Sequence, residues 1–164
     1  MGHVQMLAVT LTRRAAGTLA AAAQATPDDK MTWQPLAHGR SVLEQLVDCA
    51  LDNLQWARIL ERRAYLRLAD ESRQGALTEL STREKALARL DEATTVLVQA
   101  IESVQDDEIG RVLAVPSEEG VDLTLAECCL QPYWNMVYHT GQISYIQSLY
   151  SQASEDSPGI SSLA

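Results

Sequence analysis

Apolar residues recur every three or four positions over four long stretches of the chain, residues 4–25, 41–68, 82–104 and 122–150. This spacing places apolar side chains on one face of an α-helix and polar side chains on the other. The pattern therefore predicts four long amphipathic helices. In the first helix, the predicted inward face comprises Leu7, Leu11, Ala15, Thr18 or Leu19, and Ala22.

Two of these helices begin with a recognisable capping pattern. Ser41 with Glu44, and Ser81 with Glu84, match the S-x-x-E capping box. In this arrangement each side chain accepts a hydrogen bond from the backbone amide of the other residue. We therefore expect the second and third helices to begin at these serines.

The remaining segments interrupt the helical pattern. Residues 70–80 are polar and contain Gly75, so we interpret them as a loop. Residues 105–120 are acidic and include a short extended segment at 112–115. Pro132 predicts either a kink in the last helix or a later start, because proline lacks the amide that the helix needs.

Four long helices in a chain of 164 residues predict an all-α four-helix bundle. The connections at 26–40 and 105–121 are long, which favours a topology other than simple up-down-up-down. Residues 1–150 would form a single domain, and the Ser-rich residues 151–164 a disordered polar tail.

The composition argues against two classes of partner, nucleic acid and membrane, and favours a reducing compartment. A formal net charge of −9 argues against nucleic acid, whose phosphates would repel the chain. No segment has the ~18 apolar residues of a membrane span, so we expect no membrane partner. Cys49, Cys128 and Cys129 lack disulfide or zinc-finger spacing, which favours packing roles in a reducing, cytoplasmic compartment.

Two lines of polar residues could meet across the bundle. Helical spacing aligns Ser41, Glu44, Asp48, Asp52 and Gln55 on the second helix, and Glu127, Gln131, Asn135, His139 and Gln142 on the last. If the lines face each other, Asp48, Asn135 and His139 could hold a divalent metal. Alternatively, both lines are solvated faces and His139 is a hydrogen-bonded structural residue. The other predicted cleft-lining residues are Glu44, Glu127, Gln131, Tyr138 and Gln142.

Three short motifs, in the same order and spacing, resemble the DinB/YfiT-like family. They are Trp33-Gln34-Pro35, the helix start running from Gly39 to Asp48, and His139-Thr140-Gly141-Gln142-Ile143. The resemblance implies a four-helix bundle that binds a divalent metal such as nickel or zinc through three histidines. By this resemblance Asp48 and Asn135 replace two of the three histidines, and His139 is retained.

Two functional hypotheses follow from the resemblance. In the first, the chain is a DinB-like protein without a tightly held metal, and its cleft binds a small molecule or a partner. In the second, it is a metal-dependent, thiol-using transferase or isomerase with Asp48, Asn135 and His139 as ligands. Whether the chain is an enzyme stays open between them.

The chain also carries more apolar residues than one bundle core needs, which favours a homodimer built on the second and third helices. Alternatively, these residues anchor the long connections. They are Trp56, Ile59, Leu66, Val96 and Val98.

Overall fold

The computed structural model describes residues 2–36, 39–65, 70–114 and 122–155. Within these ranges the chain forms helices α1 (His3–Gln24), α2 (Val42–Arg62), α3 (Asp70–Glu79), α4 (Arg83–Glu102) and α5 (Leu125–Glu155). A 3₁₀ turn spans Asp28–Lys30. Strands β1 (Val112–Leu113) and β2 (Leu123–Thr124) pair antiparallel, with Val112 opposite Thr124.

The bundle consists of α1, α2, α4 and α5. Helix α2 packs against α4 and α5, and so does α1, whereas α1 and α2 touch only slightly. Helices α1 and α2 therefore lie at opposite corners, although they are consecutive bundle helices. This arrangement confirms the predicted four-helix bundle with a topology other than simple up-down-up-down.

Capping residues set where the helices begin. Ser41 Oγ accepts from the Glu44 amide at 3.2 Å, and Glu44 accepts from the Ser41 amide at 2.6 Å, as predicted. At α4 the predicted start is wrong by one residue, because Thr82 and not Ser81 is the cap. Helix α5 begins after a similar reciprocal pair, Thr124 with Glu127.

Two helix assignments differ from the sequence-based prediction, and a third is narrowed. The predicted loop at 70–80 is wrong, because Asp70–Glu79 is helix α3. The second helix ends at Arg62, where Arg63 adopts the left-handed conformation at φ 53°; residues 66–69 lie outside the described part of the chain. Pro132 lies inside α5, so the later start is excluded.

The end of the chain also differs in part from the prediction. Residues 151–155 belong to the last turn of α5, although we expected a disordered tail from 151 onward. Residues 156–164 lie outside the described residues.

The core consists of two clusters of buried side chains. One surrounds Leu46 and Met136, and the other surrounds Ile59 and Leu97. The inward face of α1 departs from the prediction, because Leu7 is 54% exposed. The side chains of α1 that are buried are Gln5, Ala8, Val9, Thr12, Ala15, Leu19 and Ala23.

The second cluster also accounts for the apolar residues on which the dimer prediction relied. Trp56, Ile59 and Val98 are buried there with Val104 and Leu113 from the connection after α4. They anchor that connection, as the alternative interpretation held. Leu66 lies outside the described residues, and Val96 is only partly buried.

The cysteines match the packing role that their spacing favours. Cys49, Cys128 and Cys129 are free and fully buried, as packing residues would be. In the described ranges, none of the helices combines the length and the apolar character needed to span a membrane.

Candidate functional site

Asp48 of α2 and His139 of α5 meet between these helices. His139 Nε2 lies 3.3 Å from Asp48 Oδ2, and His139 is only 4% exposed. The other ring nitrogen, Nδ1, lies 3.1 Å from Gln45 Oε1. Both ring nitrogens therefore have an oxygen partner from α2, so the ring is fixed from both sides.

Two arginines also bind Asp48. Arg40 Nη1 donates to Asp48 Oδ2 at 2.8 Å, and Arg73 Nη1 of α3 donates to Oδ1. Burial raises the pKa of Asp48, but the His139 hydrogen bond and the two guanidiniums outweigh it and hold the pKa below its ordinary value. Asp48 is therefore an ionised carboxylate shared among three basic side chains.

Asn135 binds Asp52 and not Asp48. Its amide Nδ2 donates to Asp52 Oδ2 at 3.0 Å, one turn beyond Asp48 on α2. Burial and the neighbouring Asp48 carboxylate raise the pKa of Asp52 to about 6, against the opposing effects of Arg73, His139 and Asn135. The two acidic residues thus have opposite pKa shifts, although they lie on the same face of one helix.

A cleft of about 710 Å³ opens beside this network. Asp48, Asn135 and His139 all line it, so the three predicted site residues share one cavity. The other lining residues are Pro35, Leu36, Gly39, Arg40, Gln45, Tyr138, Gln142, Tyr145 and Ile146.

The predicted cleft-lining residues divide into two groups. Tyr138 and Gln142 line the cleft. Glu44 lines a neighbouring recess of about 140 Å³ and holds the α2 cap. Glu127 caps the start of α5, about 18 Å along the helix axis from His139. The half-buried Gln131 lies one turn before Asn135, towards the N-terminus of α5.

Sequence reasoning missed three residues of the network. Arg40 and Gln45 flank the capping box, and their distance from Asp48 depends on how α2 begins. Arg73 was missed because its segment was interpreted as a loop. The sequence signal that could have identified Arg73 is a positively charged residue on a short helix next to the acidic residues of α2.

The residues present do not fit a tightly held divalent metal. Catalytic zinc sites commonly use three protein ligands, whereas Asp48 and His139 supply one carboxylate and one imidazole. Among the described residues, no three or more His, Cys, Asp and Glu side chains are grouped to hold a metal ion. Two guanidiniums bound to Asp48 add positive charge where a cation would have to approach.

Solved structures share this fold at low sequence identity. YfiT from Bacillus subtilis, described as a probable metal-dependent hydrolase with an unusual four-helix bundle topology, is 14% identical, with a TM-score of 0.75. The similarity covers 92% of this chain and 90% of YfiT. A conserved protein from Enterococcus faecalis is 13% identical, with a TM-score of 0.71 over 91% of this chain and 98% of that protein.

A third similar structure is a mycothiol-dependent maleylpyruvate isomerase, 10% identical with a TM-score of 0.66. The similarity covers 87% of this chain but 63% of the isomerase. No curated protein sequence matches the chain significantly. The family model of the DinB superfamily matches residues 11–143, which include α2, α4 and the site residues. This chain therefore belongs to the DinB superfamily.

Proposed function

We propose that the cleft binds a small molecule without a tightly held metal. The observation that carries this proposal is the pairing of Asp48 with Arg40, Arg73 and His139. A metal ion would have to displace two guanidiniums from the carboxylate and would gain only His139 as a second ligand. The negative charge of Asp48, which a bound metal ion would neutralise, is already neutralised by Arg40 and Arg73.

The cleft has the size and the mixed character of a small-molecule site. Its volume of about 710 Å³ lies within the ~300–1,000 Å³ range typical of ligand pockets. Gln45 and Gln142 offer amide groups beside the His139 ring. Tyr138 and Tyr145, both more than 60% exposed, offer aromatic surface at the opening. These groups suit a planar molecule with several hydrogen-bonding atoms.

A second function is favoured by the 3.3 Å contact between Asp48 and His139. This pair could supply two ligands to nickel or zinc in a metal-dependent, thiol-using transferase or isomerase. The similar isomerase is described as mycothiol-dependent, which gives this alternative its chemical class. It requires Arg40 and Arg73 to release Asp48, so the first function accounts better for the observed contacts.

Native metal content tests the proposal. The chain should be purified without a histidine tag or chelating resin and measured by elemental analysis. We expect much less than one equivalent of nickel or zinc. A stoichiometric content that persists through dialysis would overturn the proposal in favour of the metal-dependent function.

Ligand binding with a chelator present tests the other half of the proposal. A panel of aromatic amides and aromatic carboxylates can be followed by NMR chemical shifts. We expect binding that Gln142→Ala weakens, whereas Gln131→Ala, outside the cleft lining, leaves it unchanged. Loss of binding when the chelator is added would contradict a metal-free cleft. Equal weakening by both variants would contradict binding of the ligand in this cleft.

A further inference from the structure

Arg40 occupies a position that the stability of α2 does not explain. It lies one residue before Ser41, the N-cap of this helix. The start of a helix carries a partial positive charge, so a cation beside it is unfavourable for the helix. The side chain of Arg40 is nevertheless 52% exposed and lines the cleft of about 710 Å³. A negatively charged group in the cleft would offset this unfavourable placement.

Asp48 alone does not account for both of the arginines that bind it. One carboxylate neutralises one guanidinium, yet Arg40 and Arg73 both contact Asp48. His139 Nε2 also lies 3.3 Å from Oδ2, the same oxygen that accepts from Arg40. Arg73 lines the neighbouring recess but not the cleft, whereas Arg40 lines both. Arg40 is therefore the guanidinium whose charge is available to a molecule in the cleft.

The nearby carboxylates do not compete for Arg40. Among the described residues that line the cleft, Asp48 is the only acidic one. Glu44 caps the start of α2, and Asp52 accepts the hydrogen bond of the Asn135 amide. In a chain of net charge −9, an anionic group in this cleft would thus meet a guanidinium and no unpaired carboxylate.

The guanidinium of Arg40 has the geometry to bind a carboxylate. Its hydrogen bond to Asp48 uses Nη1, and within the described residues its other nitrogens make no hydrogen bond. The edge formed by Nε and Nη2 presents two parallel N–H groups, which match the two oxygens of a carboxylate. Tyr138 and Gln142 also line the cleft and offer a hydroxyl and an amide as further donors. A phosphate dianion fits less well, because it would bring two negative charges to one available guanidinium.

We propose that the ligand of the cleft carries a carboxylate, which the Nε–Nη2 edge of Arg40 binds. This inference rests on the proposed function, because it assigns a chemical class to the small molecule that the cleft holds. The exposed rings of Tyr138 and Tyr145 at the opening suit an aromatic group, so an aromatic carboxylic acid combines both features. Arg40 is then the residue that distinguishes acids from neutral molecules of the same shape.

Benzoate, benzamide and phenyl phosphate test this assignment, because they join the same ring to different polar groups. Their dissociation constants can be measured by NMR titration of the full chain at neutral pH with a chelator present. We expect benzoate to bind at least about tenfold more tightly than the neutral benzamide, and more tightly than phenyl phosphate. Equal affinity for benzoate and benzamide, or tighter binding of phenyl phosphate, would overturn the assignment of a carboxylate.

Matched variants test whether Arg40 itself holds the carboxylate. Arg40→Gln should weaken benzoate binding about tenfold and leave benzamide binding unchanged, and Arg40→Lys should keep only part of the benzoate affinity, because lysine lacks the two-donor edge. Arg73→Gln removes the other guanidinium from Asp48 and should weaken benzoate binding less than Arg40→Gln does. Arg89→Gln, which removes a charge paired with Glu92 on α4, should leave both affinities unchanged.

Two results would contradict a direct contact between Arg40 and the carboxylate. They are unchanged benzoate binding in Arg40→Gln, and an equal loss of benzoate binding in Arg73→Gln. Absence of binding by every probe, charged and neutral alike, would instead contradict the small-molecule cleft on which this inference rests.

Discussion

Replacing Asp52 with asparagine should stabilise the folded chain above pH 6. Asp52 accepts a hydrogen bond from Asn135 at 3.0 Å and lies beside the ionised Asp48. Asparagine has nearly the same shape and can accept the same hydrogen bond from Asn135 without carrying a charge. The substitution therefore removes an unfavourable buried charge and keeps the contact.

The magnitude follows from the pKa of Asp52, which rises from an ordinary 3.8 to about 6 on folding. The folded chain thus holds a proton more tightly than the unfolded chain. Between these two pH values stability falls as pH rises, and above pH 6 the whole penalty is present. At about 1.4 kcal/mol per pH unit, the penalty is about 3 kcal/mol at most. Because Asp52 keeps some contact with water, we expect a gain of about 1–3 kcal/mol.

Urea unfolding followed by circular dichroism measures this gain. The free energy of unfolding of Asp52→Asn should exceed that of the native chain at pH 8, and the difference should shrink strongly at pH 4. Asp91→Asn, an exposed position on α4, removes one negative charge without the burial and is the matched control. An equal gain in both variants, or a gain independent of pH, would refute the assignment of the effect to burial of Asp52.

Three further predictions concern the network and the core. The double variant Asp48→His with Asn135→His should bind nickel or zinc more tightly than the native chain in equilibrium dialysis, since imidazoles replace a carboxylate and an amide; equal affinity would show that the cleft cannot arrange these ligands around a metal. Asp48→Asn should destabilise the chain at pH 7 by about 1–3 kcal/mol. Because the pKa of Asp48 is lowered, its contribution is lost as pH falls, so the urea midpoints should converge in acid and a constant difference would count against this account. Leu46→Ala, at a fully buried position, should lower the free energy of unfolding by about 2–5 kcal/mol, and a change below 1 kcal/mol would be inconsistent with its burial.

The long helices could be predicted from the sequence because each has an apolar face that the core requires. Helix α3 could not be recognised in this way. Its sequence DESRQGALTE has little apolar periodicity, and it packs mainly against α2. Among the side chains of α3 that the structure describes, only Ala76 and Leu77 join the core cluster. A short helix with so little buried surface resembles a loop in its sequence pattern.

The sequence predicted which faces of α2 and α5 carry the site, but not how these faces align along the two helices. Helical spacing placed Asp48 and Asp52 on one face of α2 and Asn135 and His139 on one face of α5. It could not tell which acidic residue lies level with Asn135, because the spacing within each helix does not fix how far the two helices are shifted past each other. The structure pairs Asn135 with Asp52 and His139 with Asp48. Arg73 could not be placed at all while α3 was interpreted as a loop.

The positions of the helices in the bundle also bear on how the chain folds during synthesis. Helix α1 is synthesised before α2, yet it packs against α4 and α5, which are synthesised after α2. Gln147 of α5 donates to the Ala22 carbonyl at 2.8 Å, closing a contact across most of the chain. We therefore expect the apolar faces of α1 and α2 to stay exposed to solvent until α4 has emerged from the ribosome. Moving α1 behind α5 by circular permutation would shorten this exposure.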